Sequence, residues 1–154
     1  MLGNTNVQLD IPIQMEYVSL VRILISDLAQ SRREIDPQKV NDLKLAISEA
    51  CTNAIEAHKA IHSDQKIKIA WSEQPDHFEV SIRDFGKGFD IEALPKHPPV
   101  TDPERLNFER GLGIPLIKAL MDEVSFNSSS EGTFVKMIVF CQPLEKKLDF
   151  DSEL

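Results

Sequence analysis

Glu49 and Asn53 stand four residues apart in a stretch whose apolar residues recur with helical spacing, so one ligand can meet both side chains. Ala46 and Ala60 share their stripe and leave room for that ligand to approach. Further on, Asp84-Phe85-Gly86-Lys87-Gly88 follows a run of period-two alternation. A carboxylate at a strand end can accept a hydrogen bond from an exocyclic amine such as adenine carries, and the two glycines let backbone amides come close to a ligand. Arg110-Gly111-Leu112-Gly113 runs straight into a helical pattern, where unpaired amides and the positive end of the helix dipole suit a phosphate. Gly132-Thr133 adds a hydroxyl ahead of a final strand. Singly, the helix stripe reads better as a solvated face and Gly132-Thr133 better as a strand-entry turn, while the 84–88 glycine turn reads equally well as a hairpin exit. The phosphate-binding pattern GxxxxGK[ST] is missing from the chain.

The elements that must position these residues are legible from periodicity. Val7, Leu9 and Ile11 alternate as a short strand, and Val18, Val21, Leu24, Ile25 and Leu28 predict a helix over Glu16 to Gln30. Asp36-Pro37 opens a second helix with an N-cap residue and a first-turn proline, running to about Ala60. Its apolar stripe is Val40, Leu43, Ile47, Ala50 and Ala54, and the stripe of Glu49 and Asn53 flanks it. Ile67, Ile69 and Trp71, then Phe78, Val80 and Ile82, predict a hairpin around Gln74-Pro75-Asp76. Pro95, Pro98, Pro99 and Pro103 exclude a regular helix between Ile91 and Arg110 and make that segment a lid or linker. A helix over Leu112 to Val124 and a strand over Phe134 to Phe140 complete the order, and a charged tail from 143 to 154 is expected to fray. The sum is one α+β domain over residues 1–154, a two-layer sandwich.

Composition narrows the function. With 154 residues there is room for one core, and 42% hydrophobic with 27% charged residues is ordinary for a packed protein. A net charge of −8 argues against direct nucleic-acid binding. No segment approaches the ~20 apolar residues of a spanning helix, so no membrane association and a cytoplasmic location are expected. Cys51 and Cys141, far apart and outside any metal-binding spacing, read as core thiols.

The ordered set Glu49-x-x-x-Asn53, Asp84-x-Gly86-x-Gly88, Gly111-x-Gly113 and Gly132-Thr133 resembles the N, G1, G2 and G3 boxes of the GHKL ATPases, the group of gyrase and the histidine-kinase catalytic domains. Asp42 to Ala54 and Ala119 to Val124 look most like the bacterial anti-sigma-factor serine kinases of the RsbW and SpoIIAB kind. The resemblance spans roughly Leu9 to Val139 and implies a Bergerat-type ATP-binding fold, a mixed sheet covered by helices on one face. It implies ATP and Mg²⁺ as cofactors, Glu49 as catalytic base, Asn53 as Mg²⁺ ligand, Asp84 as adenine reader, and Gly86, Gly88, Gly111 and Gly113 as shapers of the pocket and its lid. Arg22 on the first helix corresponds to a position at the partner surface. Partners implied are a sigma factor, a STAS-domain anti-anti-sigma factor and a second copy in a homodimer.

The chain departs from that pattern in two places. His58 lies five residues after Asn53 where the family usually has a histidine four after, so it reads as packing or surface. Arg110 directly precedes Gly111, a register neither kind has, which leaves its contact with phosphate an expectation. The leading reading is an ATP-dependent protein serine kinase that phosphorylates the STAS partner and sequesters the sigma factor. The alternative is a nucleotide-binding anti-sigma or scaffold protein without kinase activity, against which Glu49 leans. A histidine-kinase catalytic domain would need a phosphoacceptor helix pair that so short a chain lacks. Asp84-Phe85-Gly86 invites comparison with eukaryotic-type kinases, which fails for want of a His-Arg-Asp loop.

Overall fold

A computed structural model describes residues 5–88 and 109–142, with the backbone alone at 109–112. The expected lid over 91–110 lies outside the described residues up to 108, and the expected frayed tail lies outside them from 143. Strand β1 (Thr5–Ile11) leads into helix α1 (Glu16–Gln30) and helix α2 (Pro37–Ala60). The hairpin β2 (Ile67–Glu73) and β3 (His77–Arg83) follows, then α3 (Glu109–Leu120), β4 (Glu123–Ser129) and β5 (Gly132–Phe140).

The strands form one sheet in the order β1-β2-β3-β5-β4, antiparallel at every pairing. The expected mixed sheet is corrected on that point. β5 returns beside β3 rather than running parallel to it, because the chain crosses through α3 and reverses again in the β4–β5 turn. Register sets whole rows of side chains on one face: Leu9, Ile69, Ile82, Val135 and Phe126 lie side by side, next to Val7, Trp71, Val80, Met137 and Val124. The helices cover this face, and the opposite one carries Lys68, Ser81 and Lys136, the alternation of a sheet with one wet side.

Helix α2 is the hub, packing on α1, on α3 and on β3 and β5. Asp36 caps it by accepting the Gln38 N–H at 2.9 Å, with Pro37 in the first turn. The predicted apolar stripe is buried throughout, from Val40 to Ala54. Cys51 is buried with it, its thiol pKa pushed up to about 12 by desolvation, and Cys141 packs half-buried against the core. No helix among the described residues is long and apolar enough to cross a membrane.

The third helix and the strand after it differ from expectation at both ends. The helix stops at Leu120, and Val124 belongs to β4, a strand that sequence patterning folded into the helix and turn. Asp122 makes the break: its N–H donates to Ile138 O at 3.1 Å, and its carboxylate accepts the Phe140 N–H at 2.8 Å and pairs with Lys39 at 3.0 Å. At the other end the helix has begun by Glu109, so Gly111 and Gly113 lie inside it and Pro115 falls past the first turn.

Candidate functional site

The 84–88 turn is held from both sides. Gly86 donates to Asp84 Oδ1 at 3.0 Å, Thr133 donates to the same oxygen at 3.2 Å, and the Asp84 N–H donates to Thr133 O at 2.9 Å. Asp84 is therefore fixed by the end of β5 and by its own turn, and only 6% of it is exposed. Burial pushes its carboxyl pKa up, and the two amides and Arg83 pull it back. On the helix side, a Cβ on Gly86 would stand 2.6 Å from Ala57 O and 2.7 Å from His58 N, so the turn lies directly on the α2 backbone and glycine is required there. Lys87 completes the seat by donating its N–H to Ala57 O at 3.2 Å.

Between α2, α3 and the sheet lies a cleft of about 310 Å³, lined by Asn53, Asp84, Gly88 and Thr133 among the residues expected from sequence. Its walls are apolar: Ile82 and Val135 from the sheet, Ile114 and Ile117 from α3. An apolar cleft with one buried carboxylate suits an aromatic base bearing an amine. Thr133 Oγ1 lies 2.8 Å from Ser128 Oγ, which orients the hydroxyl. α2 and α3 meet at Gly113, where a Cβ would stand 2.7 Å from Asn53 Nδ2 and 3.2 Å from Glu49 Oε2; of these three residues Asn53 alone lines the cleft. Gly113 thus brings Glu49 and Asn53 together with the start of α3. Gly111 is in that helix too. Arg110 contributes backbone to α3, and its side chain lies outside what is described.

A nucleotide triphosphate with Mg²⁺ fits this donor set. Among the described residues no cluster of three or more His, Cys, Asp or Glu could hold a metal alone. Mg²⁺ needs no such cage, since it keeps several waters and takes one or two protein oxygens beside substrate phosphates. Asn53, which lines the cleft, carries one such side-chain oxygen.

Arg22 sits apart from the cleft. It donates to Ser48 Oγ at 3.3 Å, linking α1 to the α2 turn that carries Glu49. Beside it on α1, Leu20 and Ile23 are 51% and 56% exposed. Sequence reasoning missed Ala57 and Lys87 as cleft residues, and it missed His58, which is fully buried and accepts the Phe85 N–H on Nε2 at 2.8 Å.

The profile of the histidine kinase-like ATPase domain matches residues 11–139. This chain belongs to that family. Among curated relatives, the serine-protein kinase RsbW of Oceanobacillus iheyensis is 32% identical over 152 residues, covering 96% of this chain and 92% of that protein. RsbW of Staphylococcus epidermidis is 36% identical over 138 residues, 87% of this chain and 86% of its own. Among solved structures, the RsbU and RsbW domains of a Mycobacterium tuberculosis protein share the fold at TM-score 0.64 and 17% identity, over 90% of this chain and 33% of that one. The SiaB–SiaC complex of Pseudomonas aeruginosa does so at TM-score 0.62 and 13% identity, over 86% of this chain and 88% of that one. Within the histidine kinase-like ATPases, the chain is thus similar to the RsbW kinases along nearly its whole length.

Proposed function

We propose that this protein is an anti-sigma factor and protein serine kinase that transfers phosphate from ATP to a STAS-type anti-anti-sigma factor and sequesters a sigma factor. The observation that carries the reading is that Asn53 lines the cleft together with the buried Asp84 and, beside Gly113, comes together with Glu49. A binding module needs the base pocket alone; a carboxylate beside the metal ligand is what a transfer reaction adds.

In this reading Asp84 accepts the amine of the base, the apolar walls exclude water, and Thr133 bonds the polar edge of the ring. Asn53 gives an oxygen to Mg²⁺, and the amides at the start of α3, Gly111 among them, face the phosphates with Arg110. Bound Mg²⁺ neutralises phosphate charge, and phosphoryl transfer is otherwise mainly a matter of positioning. Glu49 Oε2 takes the proton of the incoming serine hydroxyl. The partner surface includes Arg22 and the exposed Leu20 and Ile23, and the protein acts in the cytoplasm as a single domain and a homodimer.

Incubation with labelled ATP, Mg²⁺ and candidate STAS proteins, followed by phosphoserine mapping, tests the reading. Label on a partner serine is the expected result. ATP binding and sigma-factor retention with no transfer to any STAS partner would replace the kinase by the binding module.

A further inference from the structure

His58 is a side chain that the nucleotide site, as assigned above, does not use. It is 0% exposed at the last turns of α2. Because Nε2 accepts the Phe85 N–H at 2.8 Å, the ring proton belongs on Nδ1. Nδ1 is buried and has no hydrogen-bond partner among the described residues. An orphaned buried donor costs stability that a leucine at this position would not, so packing alone does not account for an imidazole here. What the ring supplies is an acceptor at one point, the amide between Asp84 and Gly86. Phe85 itself turns the other way, its ring 5.3 Å from the Arg83 guanidinium and 5.8 Å from Lys68 Nζ. The peptide joining the inward Asp84 to the outward Phe85 is therefore anchored to α2 through His58 and, two residues on, through Lys87 N–H to Ala57 O.

We propose that His58 is a positioning residue of the nucleotide site: by accepting the Phe85 amide it sets the distance between the 84–88 turn and α2, and so the width of the cleft between Asp84 and Asn53. This role rests on the reading of the cleft as an ATP site. It belongs to the neutral ring, and burial holds the His58 pKa below its ordinary value, which keeps Nε2 free to accept. The register of this chain, with Ala57 lining the cleft and His58 behind it, is what gives the ring this position.

The test compares ATP affinity, by calorimetry with Mg²⁺, for the parent, His58→Leu and His58→Gln. His58→Leu removes the acceptor and leaves the Phe85 N–H unpaired, and its ATP Kd should rise about ten-fold. His58→Gln restores an acceptor oxygen and should recover most of that loss, which a purely space-filling role would not predict. Parental affinity in His58→Leu would overturn the role while leaving the ATP reading intact. No ATP binding by the parent would overturn both. Nitrogen NMR of the parent decides the matter whichever variants fold: the Nδ1–H tautomer, with Nε2 coupled to the Phe85 amide in the ATP complex, is expected, and an Nε2–H tautomer would contradict the proposal.

Discussion

At the scale of single residues, Asp84 is a carboxylate buried in the wall of the cleft. Its folded pKa is raised above 3.8 by burial, so the stability it contributes is full below that pH and is lost as pH rises through the raised value. Asp84→Asn keeps an oxygen to accept from Gly86 and Thr133 while removing the buried charge. The variant should melt no lower than the parent at pH 7, with its advantage shrinking towards pH 4, and should lose ATP binding because the amine of the base then lacks its acceptor. Melting curves across that pH range and a Kd for ATP check both halves; a variant that binds ATP like the parent would remove Asp84 from base recognition. Asp84, Asn53 and Thr133 were legible in the sequence because each sits at a predictable place, a strand end, a helix stripe or a strand start. His58 was not, since no periodicity tells a buried histidine that accepts from a distant amide from one that fills space.

At the scale of elements, glycines were the least transparent signal. Gly111 and Gly113 read as glycines that clear a phosphate's approach to a helix start, although an internal glycine costs about 1 kcal/mol relative to alanine. The structure supplies the opposing reason at Gly113, whose missing side chain lets α3 close on Asn53 and Glu49. A methyl group there gains helix propensity but meets Asn53 Nδ2 at 2.7 Å, so stability and function should part company. Gly113→Ala is expected to melt at or above the parent temperature while its Mg·ATP affinity falls about ten-fold, the size of one lost charge-assisted bond. Unchanged affinity would mean that Asn53 can swing aside without cost and that its place beside α3 is not required. Strand β4 was hidden for a different reason. Only Val124 and Phe126 are apolar among Ser and Asn, too short an alternation to stand out until β5 lies beside it.

At the scale of the whole molecule, α2 divides the labour, with its core stripe buried on the sheet and its neighbouring stripe facing the cleft and α3. That division was readable from helical periodicity, and so were α1, the hairpin and β5. The antiparallel order of the sheet was not, because pairing partners are chosen by chain reversals that local patterns do not encode. Partner binding is assigned to the far side, where Arg22 bridges α1 to Ser48. Arg22→Ala should weaken capture of the sigma factor or the STAS partner by about ten-fold or more, the loss expected of an interface anchor, and leave ATP affinity unchanged. A parallel loss of ATP binding would make Arg22 a structural strut of α2. The central claim, that this is a transferase rather than a nucleotide-gated clamp, turns on Glu49. The most direct measurement is the single-turnover rate of phosphate transfer from Mg·ATP to the STAS partner in the parent and in Glu49→Gln, with the ATP Kd of each. A lost base should slow transfer by about 10²- to 10⁴-fold with the Kd nearly unchanged; transfer at the parental rate in Glu49→Gln would contradict the account.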